Sequence, residues 1–212
     1  MIGSHLLRLL LDSPRYGKVK ILVRKQLPLK HPKLEQQVVD FNHIGAESSL
    51  IAADDIYCCL GTTIRNAGSK EAFTRVDLTY PVELAKATAA PGSQFLVVSS
   101  IGANAGASNF YLNTKGKMEE AVGRSEFDSI HIFRPSMLLG KREEWRSGEY
   151  VAKHLMRWLS FLFIGPLKPY KPIHAQAVAT AMLTAASQQK PGIHIHASQE
   201  IETEARQLEK IV

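Results

Sequence analysis

Two segments of the chain, SQFLVVSSIGA (residues 93–103) and SIHIFRPSMLLG (129–140), are apolar through their centres instead of alternating between apolar and polar residues. A strand of this kind has to be covered on both faces, as happens in a parallel sheet that lies between two layers of helices. This feature therefore predicts a three-layer α/β fold built on a parallel sheet.

Strand-like and helix-like segments alternate along most of the chain, as such a fold requires. The other predicted strands are KVKILVRK (18–25), QQVVDFN (36–42), DDIYCCLGTT (54–63) and GIHIHAS (192–198). The predicted helices cover residues 3–11, 69–90 in two pieces around Pro81, 111–125, 149–163, 174–187 and 201–211. The alternation predicts a doubly wound sheet of the Rossmann type, which binds ligands beyond the carboxyl ends of its strands.

The length of 212 residues and the hydrophobic share of 45% are sufficient for one sizeable core. We expect a single domain over residues 1–212, with the part from about residue 141 forming the rim on the substrate side. No apolar run is long enough to predict a membrane span. HLMRWLSFLF (154–163) is interpreted as a core helix or a helix facing a second copy in a homodimer, and a helix on a membrane surface is the alternative.

The two cysteines, Cys58 and Cys59, are adjacent in the sequence. Neighbouring residues of a strand point to opposite faces of the sheet, so this pair is poorly placed for a disulfide. The prediction is two buried free thiols in a reducing compartment, which we take to be the cytoplasm.

Basic residues are concentrated near the start of a chain whose formal net charge is +6. Aromatic residues are not interleaved with them, as a platform for stacking bases requires, so nucleic-acid binding is not predicted. Two interpretations remain: the charges form a solvated face, or one or two of them contact a phosphate of a small ligand. The residues are Arg15, Lys18, Lys20, Arg24, Lys25, Lys30 and Lys33.

The first predicted strand ends in VRK, with Arg24 and Lys25 directly after it. In a dinucleotide-binding fold this position faces the adenosine ribose. An acidic residue there accepts hydrogen bonds from the ribose hydroxyls of NAD, whereas a basic residue pairs with the 2′-phosphate of NADP. The ending therefore favours NADP(H) over NAD(H), and the alternative is a pair of ordinary surface charges.

The next two strand ends also carry residues that suit a dinucleotide. Asp40 is a candidate for hydrogen bonding to the adenine amino group, and it equally suits a turn. Gly61 allows the backbone to approach a ligand closely. The hydroxyls of Thr62 and Thr63 suit a ribose or a phosphate, although an ordinary turn at a strand end has the same appearance.

The fifth predicted strand ends in FRPSMLLG. Arg134 is a candidate for holding a diphosphate or a structural carboxylate. Pro135 is a candidate for the wall beside the nicotinamide carboxamide. Both are counted among the predicted cofactor-binding residues.

The strongest catalytic signal is Tyr111-x-x-x-Lys115, on the helix predicted to follow the strand that ends in Ser99 and Ser100. Its spacing puts the tyrosine and the lysine on one face of a helix, one turn apart. An ammonium stabilises a nearby phenolate, so the pair suits proton transfer to and from a carbonyl oxygen. Ser100 is the first choice for orienting that carbonyl and Ser99 the second, since adjacent residues point in opposite directions.

Eight histidines raise the question of a metal site. His194 and His196 share one face of a predicted strand, but no acidic residue or cysteine accompanies them in sequence. No metal site is therefore predicted, and this strand is interpreted as late and half-exposed.

Three stretches together resemble the short-chain dehydrogenase/reductase superfamily: IYCCLGTTIRNAGSKEAFTRVDLTYPVELAK, FLVVSSIGANAGASNFYLNTKGKMEEAV and IFRPSMLLGKREEWRSGE. They are similar to its atypical subgroup related to the animal Tat-interacting protein and its bacterial relatives. The resemblance implies a Rossmann-type fold and NADPH binding. It also implies catalytic roles for Tyr111, Lys115 and a serine at the fourth strand end.

The start of the chain departs from the superfamily pattern, which has a strand and a glycine-rich turn before the first helix. Only MIG of that turn is present, with Gly3 in place of the last glycine, and Ile2 and Gly3 are predicted to contact the cofactor. Without that central strand, its two neighbours would be about 10 Å apart. We expect additional residues upstream in the natural polypeptide. The alternative is a chain of this length with a rearranged sheet, or with a partner chain in the gap.

Three functions are consistent with these residues. The first is an NADP(H)-dependent oxidoreductase acting on a small carbonyl or alcohol, with a dinucleotide and a small molecule as its partners. The second is a nucleotide-sugar epimerase or dehydratase, which the short remainder of the chain after residue 140 disfavours. The third is a regulatory protein that senses NADPH without turnover.

Overall fold

The computed structural model describes residues 1–139 and 170–208, so the predicted helix at 149–163 and most of the predicted rim lie outside the described residues. The helices are α1 (Ile2–Asp12), α2 (Ile64–Ala67), α3 (Lys70–Thr74), α4 (Tyr80–Thr88), α5 (Phe110–Val122), α6 (Ala175–Gln188) and α7 (Ser198–Leu208). The strands are β1 (Val19–Val23), β2 (Leu34–Val38), β3 (Asp55–Cys58), β4 (Gln94–Val98), β5 (Ser129–Arg134), β6 (Leu138–Leu139), β7 (Ile173–His174) and β8 (Gly192–Ala197). A 3₁₀ segment (Phe41–Leu50) follows β2, and a π-helical turn (Arg75–Thr79) joins α3 to α4.

The strands confirm the predicted parallel α/β architecture. In the described part of the chain, β3, β4, β5 and β8 form one sheet in that order, β1 pairs with β2, and β6 pairs with β7. All of these pairs are parallel. The carboxyl ends of β3, β4 and β5 therefore lie at one edge of the four-stranded sheet.

Two apolar clusters cover the two faces of the sheet and give the three layers. On one face, α1, α6 and α7 pack over strand residues such as Leu96 and Phe133. On the other face, α4, α5 and the 3₁₀ segment pack over Phe95, Val97 and Ile132. Consecutive strand residues are buried on opposite faces, which explains why the central strands are apolar throughout.

The sheet is discontinuous between β1 and β3, because within the described residues no hydrogen-bond ladder joins them. This is the point at which the sequence predicted a gap. Side chains connect the two sheets instead. The Tyr16 hydroxyl lies 2.6 Å from Asp55 Oδ2 and 2.6 Å from the Tyr57 hydroxyl, and Arg15 donates to the same carboxylate at 3.4 Å. Burial, with the neighbouring Asp55 carboxylate, raises the pKa of Tyr16 to about 12.

The helical region around Pro81 differs in detail from the prediction of two pieces. The chain stays helical from α3 into α4, and Pro81 is the second residue of α4. Proline has no N–H for the carbonyl four residues before it. The π-helical turn lies directly before this position, and it contains Asp77.

The terminal helix begins at Ser198, one turn earlier than predicted, and Glu200 Oε2 accepts the Ala197 N–H at 2.7 Å. Among the described helices, none has the length and apolar character to cross a bilayer. Both thiols are free, as predicted; Cys58 is buried as expected, whereas Cys59 is only half-buried. Burial raises their pKa values, to about 11 for Cys58 and about 12 for Cys59.

Candidate active site

Lys115 lies at the centre of the candidate site. It is in the middle of α5 and 97% buried, with Nζ donating to the Val98 carbonyl at 3.4 Å. Val98 is the last residue of β4, so the ammonium group is held at the carboxyl end of the central strands. The predicted lysine thus faces the edge of the sheet where a Rossmann-type fold binds its ligand.

A buried carboxylate lies beside this lysine. Asp77 Oδ1 is 2.8 Å from Lys115 Nζ, and Asp77 Oδ2 accepts the Thr62 N–H at 2.9 Å. The Asp77 side chain is 1% exposed. Gly61 fits beside the pair, since a Cβ there would lie 3.4 Å from Asp77 Oδ1 and 3.9 Å from Lys115 Nζ. The loop after β3 is therefore fastened to the lysine through Asp77.

Tyr111 is the second residue of α5, one turn before Lys115 on the same helix. Its side chain is half-buried, and its ring lies 5.4 Å from the ring of Phe73. Phe73 itself is fully buried, so it fixes one side of the phenol. The structure thus brings Tyr111 and Lys115 to the same side of α5.

The two candidate serines follow β4. Ser99 is buried, and its hydroxyl has no hydrogen-bond partner within the described residues. Ser100 is half-buried, with its hydroxyl 3.4 Å from the Ile101 carbonyl, which is a weak contact. Neither hydroxyl makes a strong hydrogen bond to another described residue, so both remain candidates for orienting a ligand.

Local sequence explains why α5 is held in this place. The Asn109 side chain caps the helix by accepting the Leu112 N–H at 3.1 Å. Gly116 allows the helix to touch the loop after β4, since a Cβ there would come within 2.1 Å of the Ala105 nitrogen. Only glycine permits this approach, which brings the helix with Tyr111 and Lys115 against the end of β4.

The residues predicted to bind a cofactor at the start of the chain lie at the N-terminus of α1. Ile2 is buried in the core, and Gly3 packs against Cys59, because a Cβ at Gly3 would lie 3.4 Å from the cysteine Cβ. Amide groups at a helix N-terminus suit a phosphate. This end of α1 therefore lies beside the chain that leaves β3.

Arg24 and Lys25 are exposed directly after β1, as predicted. Other members of the basic group are engaged within the protein. Lys18 and Lys20 pair with Glu35, and Lys33 donates to the Ser13 carbonyl at 2.8 Å.

The environment of Asp40 matches the turn interpretation. Its carboxylate accepts the backbone and side-chain N–H groups of Asn42 at 3.0 and 2.8 Å, and it lies 3.0 Å from His43 Nδ1. The backbone hydrogen bond from Asn42, followed by the contact with His43, lowers the pKa of Asp40. Thr63 similarly caps α2 by accepting the Asn66 N–H at 3.2 Å.

The sequence left two partners open for Arg134, a diphosphate or a structural carboxylate. In the structure it binds a carboxylate, that of Glu119. Its guanidinium donates from Nε to Glu119 at 3.0 Å and from Nη2 to the other oxygen of the same carboxylate. This bond with Glu119, opposed by burial, raises the pKa of the arginine. Pro135 is buried, and its carbonyl accepts the Ile101 N–H at 3.0 Å, so it joins the end of β5 to the loop after β4.

Sequence reasoning missed Asp77, Glu119 and a buried histidine cluster. The only available signal for Asp77 was one acidic residue among the apolar positions of VDLTYPVELA. Its partner on α5 cannot be read from local spacing. Within residues 1–139 and 170–208, no group of three or more His, Cys, Asp or Glu is arranged to hold a metal ion.

The cluster missed by sequence, here called the histidine network, consists of Ser129, His131, His196 and Glu204. His131 Nε2 is 2.9 Å from the Ser129 hydroxyl, His131 Nδ1 is 2.9 Å from His196 Nε2, and His196 Nδ1 is 2.8 Å from Glu204 Oε1. Burial, then the neighbouring His196, lowers the pKa of His131 to about 3. The prediction of a half-exposed strand is confirmed, since His196 is buried while Ile193 and Ile195 on the other face of β8 are exposed.

The hydrogen bonds assign the protons in this network. Ser129 donates to the Lys190 carbonyl at 2.6 Å, so it has to accept from His131 Nε2. Neutral His131 then accepts at Nδ1 from His196 Nε2. The contact between His196 Nδ1 and Glu204 needs one further proton, shared by the imidazole and the carboxylate. The network is thus a continuous chain from β5 through β8 to α7.

Comparison with known proteins identifies relatives of this chain. It is 36% identical over 156 residues to Protein HTATIP2 of Rattus norvegicus, a match covering 71% of this chain and 64% of the rat protein, just under two thirds of its length. It is 30% identical over 177 residues to Protein FMP52, mitochondrial, of Candida albicans, a match covering 80% of this chain and 77% of the fungal protein. No protein-family model matches the chain.

Solved structures share the fold at low sequence identity. A short-chain dehydrogenase/reductase superfamily protein from Agrobacterium tumefaciens, with bound NAD, has a TM-score of 0.66 and 12% identity over 92% of this chain and 74% of that one. The human epimerase family protein SDR39U1, with NADPH, has a TM-score of 0.61 and 18% identity over 93% of this chain and 70% of that one.

The parallel sheet, its helical layers and these neighbours define a protein with the Rossmann fold of short-chain dehydrogenases/reductases and epimerases. More narrowly, the chain belongs to the FMP52 family. The relatives described above are from a mammal and a fungus. The fungal name includes the word mitochondrial, so the cytoplasmic location predicted from the cysteines stays a prediction.

Proposed function

We propose that this protein is an NADP(H)-dependent oxidoreductase that interconverts a small carbonyl compound and its alcohol. The observation that carries the proposal is the position of Lys115. Its ammonium group is buried at the carboxyl end of β4, which Ser99 and Ser100 directly follow. Tyr111 lies one turn before it on α5.

The residues present fit a nicotinamide dinucleotide. Arg24 and Lys25 are exposed where a 2′-phosphate is expected, and the N-terminus of α1 suits the pyrophosphate. Gly61, Thr62 and Thr63 follow β3, and the Ser99 hydroxyl, which has no hydrogen-bond partner in residues 1–139 and 170–208, lies at the end of β4. Two structural neighbours hold NAD and NADPH.

The cofactor supplies or accepts a hydride when it is bound; the protein supplies the proton and the orientation. Tyr111 donates its phenolic proton to the oxygen of the carbonyl substrate, or accepts the proton of the alcohol in the reverse direction. Lys115 stabilises the phenolate that this transfer leaves. Ser100 or Ser99 donates a hydrogen bond to the same substrate oxygen and so fixes its direction relative to the phenol.

The test is turnover of a panel of small aldehydes, ketones and alcohols with NADPH or NADP. Tyr111→Phe removes the transferred proton and is expected to reduce kcat about 10²–10⁴-fold, with NADPH affinity retained. Tyr16→Phe is the matched control and should leave kcat unchanged, because Tyr16 contacts Asp55 at the start of β3, at the end of the sheet opposite to the candidate site. Full activity in Tyr111→Phe would refute the assigned role.

The cofactor preference has a separate test. Arg24→Ala/Lys25→Ala should weaken NADPH binding at least about tenfold, or about 1.4 kcal/mol, while NADH binding changes little. Isothermal titration calorimetry measures both affinities. Lys117→Ala/Arg124→Ala removes the same charge from exposed positions on and just after α5 and serves as the control. Equal losses for NADPH and NADH would overturn the proposed preference.

One observation favours a second function, the sensing of NADPH without turnover. The Lys115 ammonium is already matched by the Asp77 carboxylate, so the site carries less positive charge than a simple tyrosine–lysine pair. The same panel separates the two functions, because a sensor binds NADPH with no turnover of any substrate.

A further inference from the structure

We propose that Met137 and Tyr170 form an apolar wall at the candidate site and select a substrate that is uncharged and carries an alkyl chain or an aromatic ring. The inference rests on the proposed function, because it names the substrate class of that same site. Both residues act by contacting the part of the substrate that does not react, so they are specificity-determining residues.

Met137 lies three residues after the end of β5. This end of β5 is bonded to the serine segment that follows β4. Ser99 donates its N–H to the Phe133 carbonyl at 2.7 Å, and two residues later Ile101 donates to the Pro135 carbonyl at 3.0 Å. From there the chain to Met137 spans at most about 7 Å. Met137 therefore lies at the edge of the sheet where the fold binds its ligand.

Tyr170 is brought next to Met137 by the segment that leads into β7. The Ser136 hydroxyl donates to the Lys171 carbonyl, and the Ile173 N–H donates to the Met137 carbonyl at 2.9 Å. β6 and β7 continue this contact as a parallel pair. Met137 and Tyr170 each lie one residue from the first of these hydrogen bonds, so the two are neighbours across the two segments.

Both side chains are exposed, Met137 by 65% and Tyr170 by 55%. One exposed apolar side chain is ordinary on a protein surface. Here separate segments bring two large ones together beside the candidate site, as is typical of a surface that a ligand covers. The thioether adapts to irregular apolar shapes, and the tyrosine adds a rigid ring. The wall therefore suits an alkyl chain or an aromatic ring.

The arginine and the lysine of these two segments are already engaged within the protein. Arg134 binds both oxygens of Glu119, and Lys171 Nζ lies 3.0 Å from Glu202 on α7. An anionic group of a substrate is best held by a cation that is not paired in this way. The wall therefore favours an uncharged substrate over one that carries a carboxylate or the diphosphate of a nucleotide sugar.

The test uses amides, which resemble a carbonyl substrate and are not reduced. Acetamide, butyramide and hexanamide are titrated against the protein with saturating NADPH and again without it, and saturation-transfer NMR measures the affinities. Affinity is expected to rise about fourfold for each CH₂ group added. Butyramide should bind more tightly than succinamate, which has the same number of carbon atoms and carries a carboxylate.

Met137→Thr/Tyr170→Thr removes the wall and should weaken hexanamide binding at least about tenfold, while acetamide binding changes little. Both positions are exposed, so the variant is expected to fold, and circular dichroism checks this. The matched control is Ile193→Thr/Ile195→Thr, which replaces two exposed apolar side chains of β8 and should leave every amide affinity unchanged. The amide series with the wild-type protein decides if the variant does not fold.

Three results would each overturn the inference: hexanamide that binds no more tightly than acetamide, succinamate that binds more tightly than butyramide, or a Met137→Thr/Tyr170→Thr variant that loses no more hexanamide affinity than the control. Failure of the proposed function gives a different result. If no aldehyde or alcohol is turned over and the amides still bind in the expected order, the oxidoreductase function is wrong and the specificity inference holds. Turnover with amide affinities that do not depend on chain length refutes the specificity inference alone.

Discussion

Two buried polar clusters lie on the same sheet and differ in how completely their groups are bonded. At the carboxyl end of β4, the Ser99 hydroxyl has no partner among the described residues, and Asp77 Oδ1 lies near the ammonium without a well-aligned hydrogen bond. In the histidine network, every ring nitrogen of His131 and His196 is bonded, as is the Ser129 hydroxyl. Only the second oxygen of Glu204 lacks a partner.

The difference indicates separate roles. Buried polar groups in folded proteins are normally paired, so groups left unpaired near a strand end are free to bond a ligand. A bonded network in the interior ties elements together instead. The histidine network joins β5, β8 and α7, and we assign it to stability. The cluster around Lys115 lies where the fold binds ligands, and we assign it to function.

The largest effect is expected from breaking the Asp77–Lys115 pair on one side. Lys115→Met leaves a buried carboxylate without its cation and should lower the free energy of unfolding by about 3–5 kcal/mol. Urea denaturation measures this loss. Asp77→Asn/Lys115→Met should recover much of it, because neither side of the pair is then charged.

The control is Lys117→Met, an exposed position two residues further along the same helix. It should change the free energy of unfolding by less than about 0.5 kcal/mol. If Lys115→Met costs no more than this control, the buried pair does not stabilise the fold as described.

Lowering the pH is expected to have an intermediate effect on the free energy of unfolding. Burial lowers the pKa of His131 to about 3, whereas the unfolded chain takes up that proton near the ordinary value of about 6.5. The stabilisation is complete above about pH 6.5 and is lost as the pH falls towards 3, at about 1.4 kcal/mol per pH unit.

His131→Gln has an amide that can both donate to Ser129 and accept from His196, and it does not titrate. Between pH 6.5 and 4.5 this variant should lose about 2–3 kcal/mol less than the wild-type protein. Chemical denaturation at several pH values gives the two slopes. If the free energy of unfolding falls equally with pH in both proteins, His131 takes up its proton in the native state and the assignment is wrong.

The smallest effect is expected when one serine in each cluster is replaced by alanine. Ser129→Ala removes a hydroxyl that joins the Lys190 carbonyl to His131, and it should cost about 1–2 kcal/mol. Ser99→Ala removes a buried hydroxyl that has no partner in the described residues, and it should change stability by less than about 0.5 kcal/mol. Equal costs in thermal denaturation would remove the distinction between the clusters.

Local sequence patterns predicted the elements and much of the candidate site. Apolar strands indicated a parallel sheet, and the four-residue spacing of Tyr111 and Lys115 placed both on one side of α5. The sequence predicted either a diphosphate or a structural carboxylate as the partner of Arg134. Its bidentate bond with Glu119 matches the carboxylate. The predictions for residues 140–169 fall outside the described part of the chain.

The sequence by itself determined what is periodic or adjacent: the order of strands and helices, the buried positions of β4 and β5, the free thiols, and the tyrosine one turn from a lysine. The tertiary structure decided which distant residues meet. Asp77 reaches Lys115 from another helix, and His131 meets His196 from a neighbouring strand, 65 residues away. Hydrophobic patterning and helical spacing are encoded within a few residues, whereas the partner of a buried charge depends on how the helices pack across the sheet.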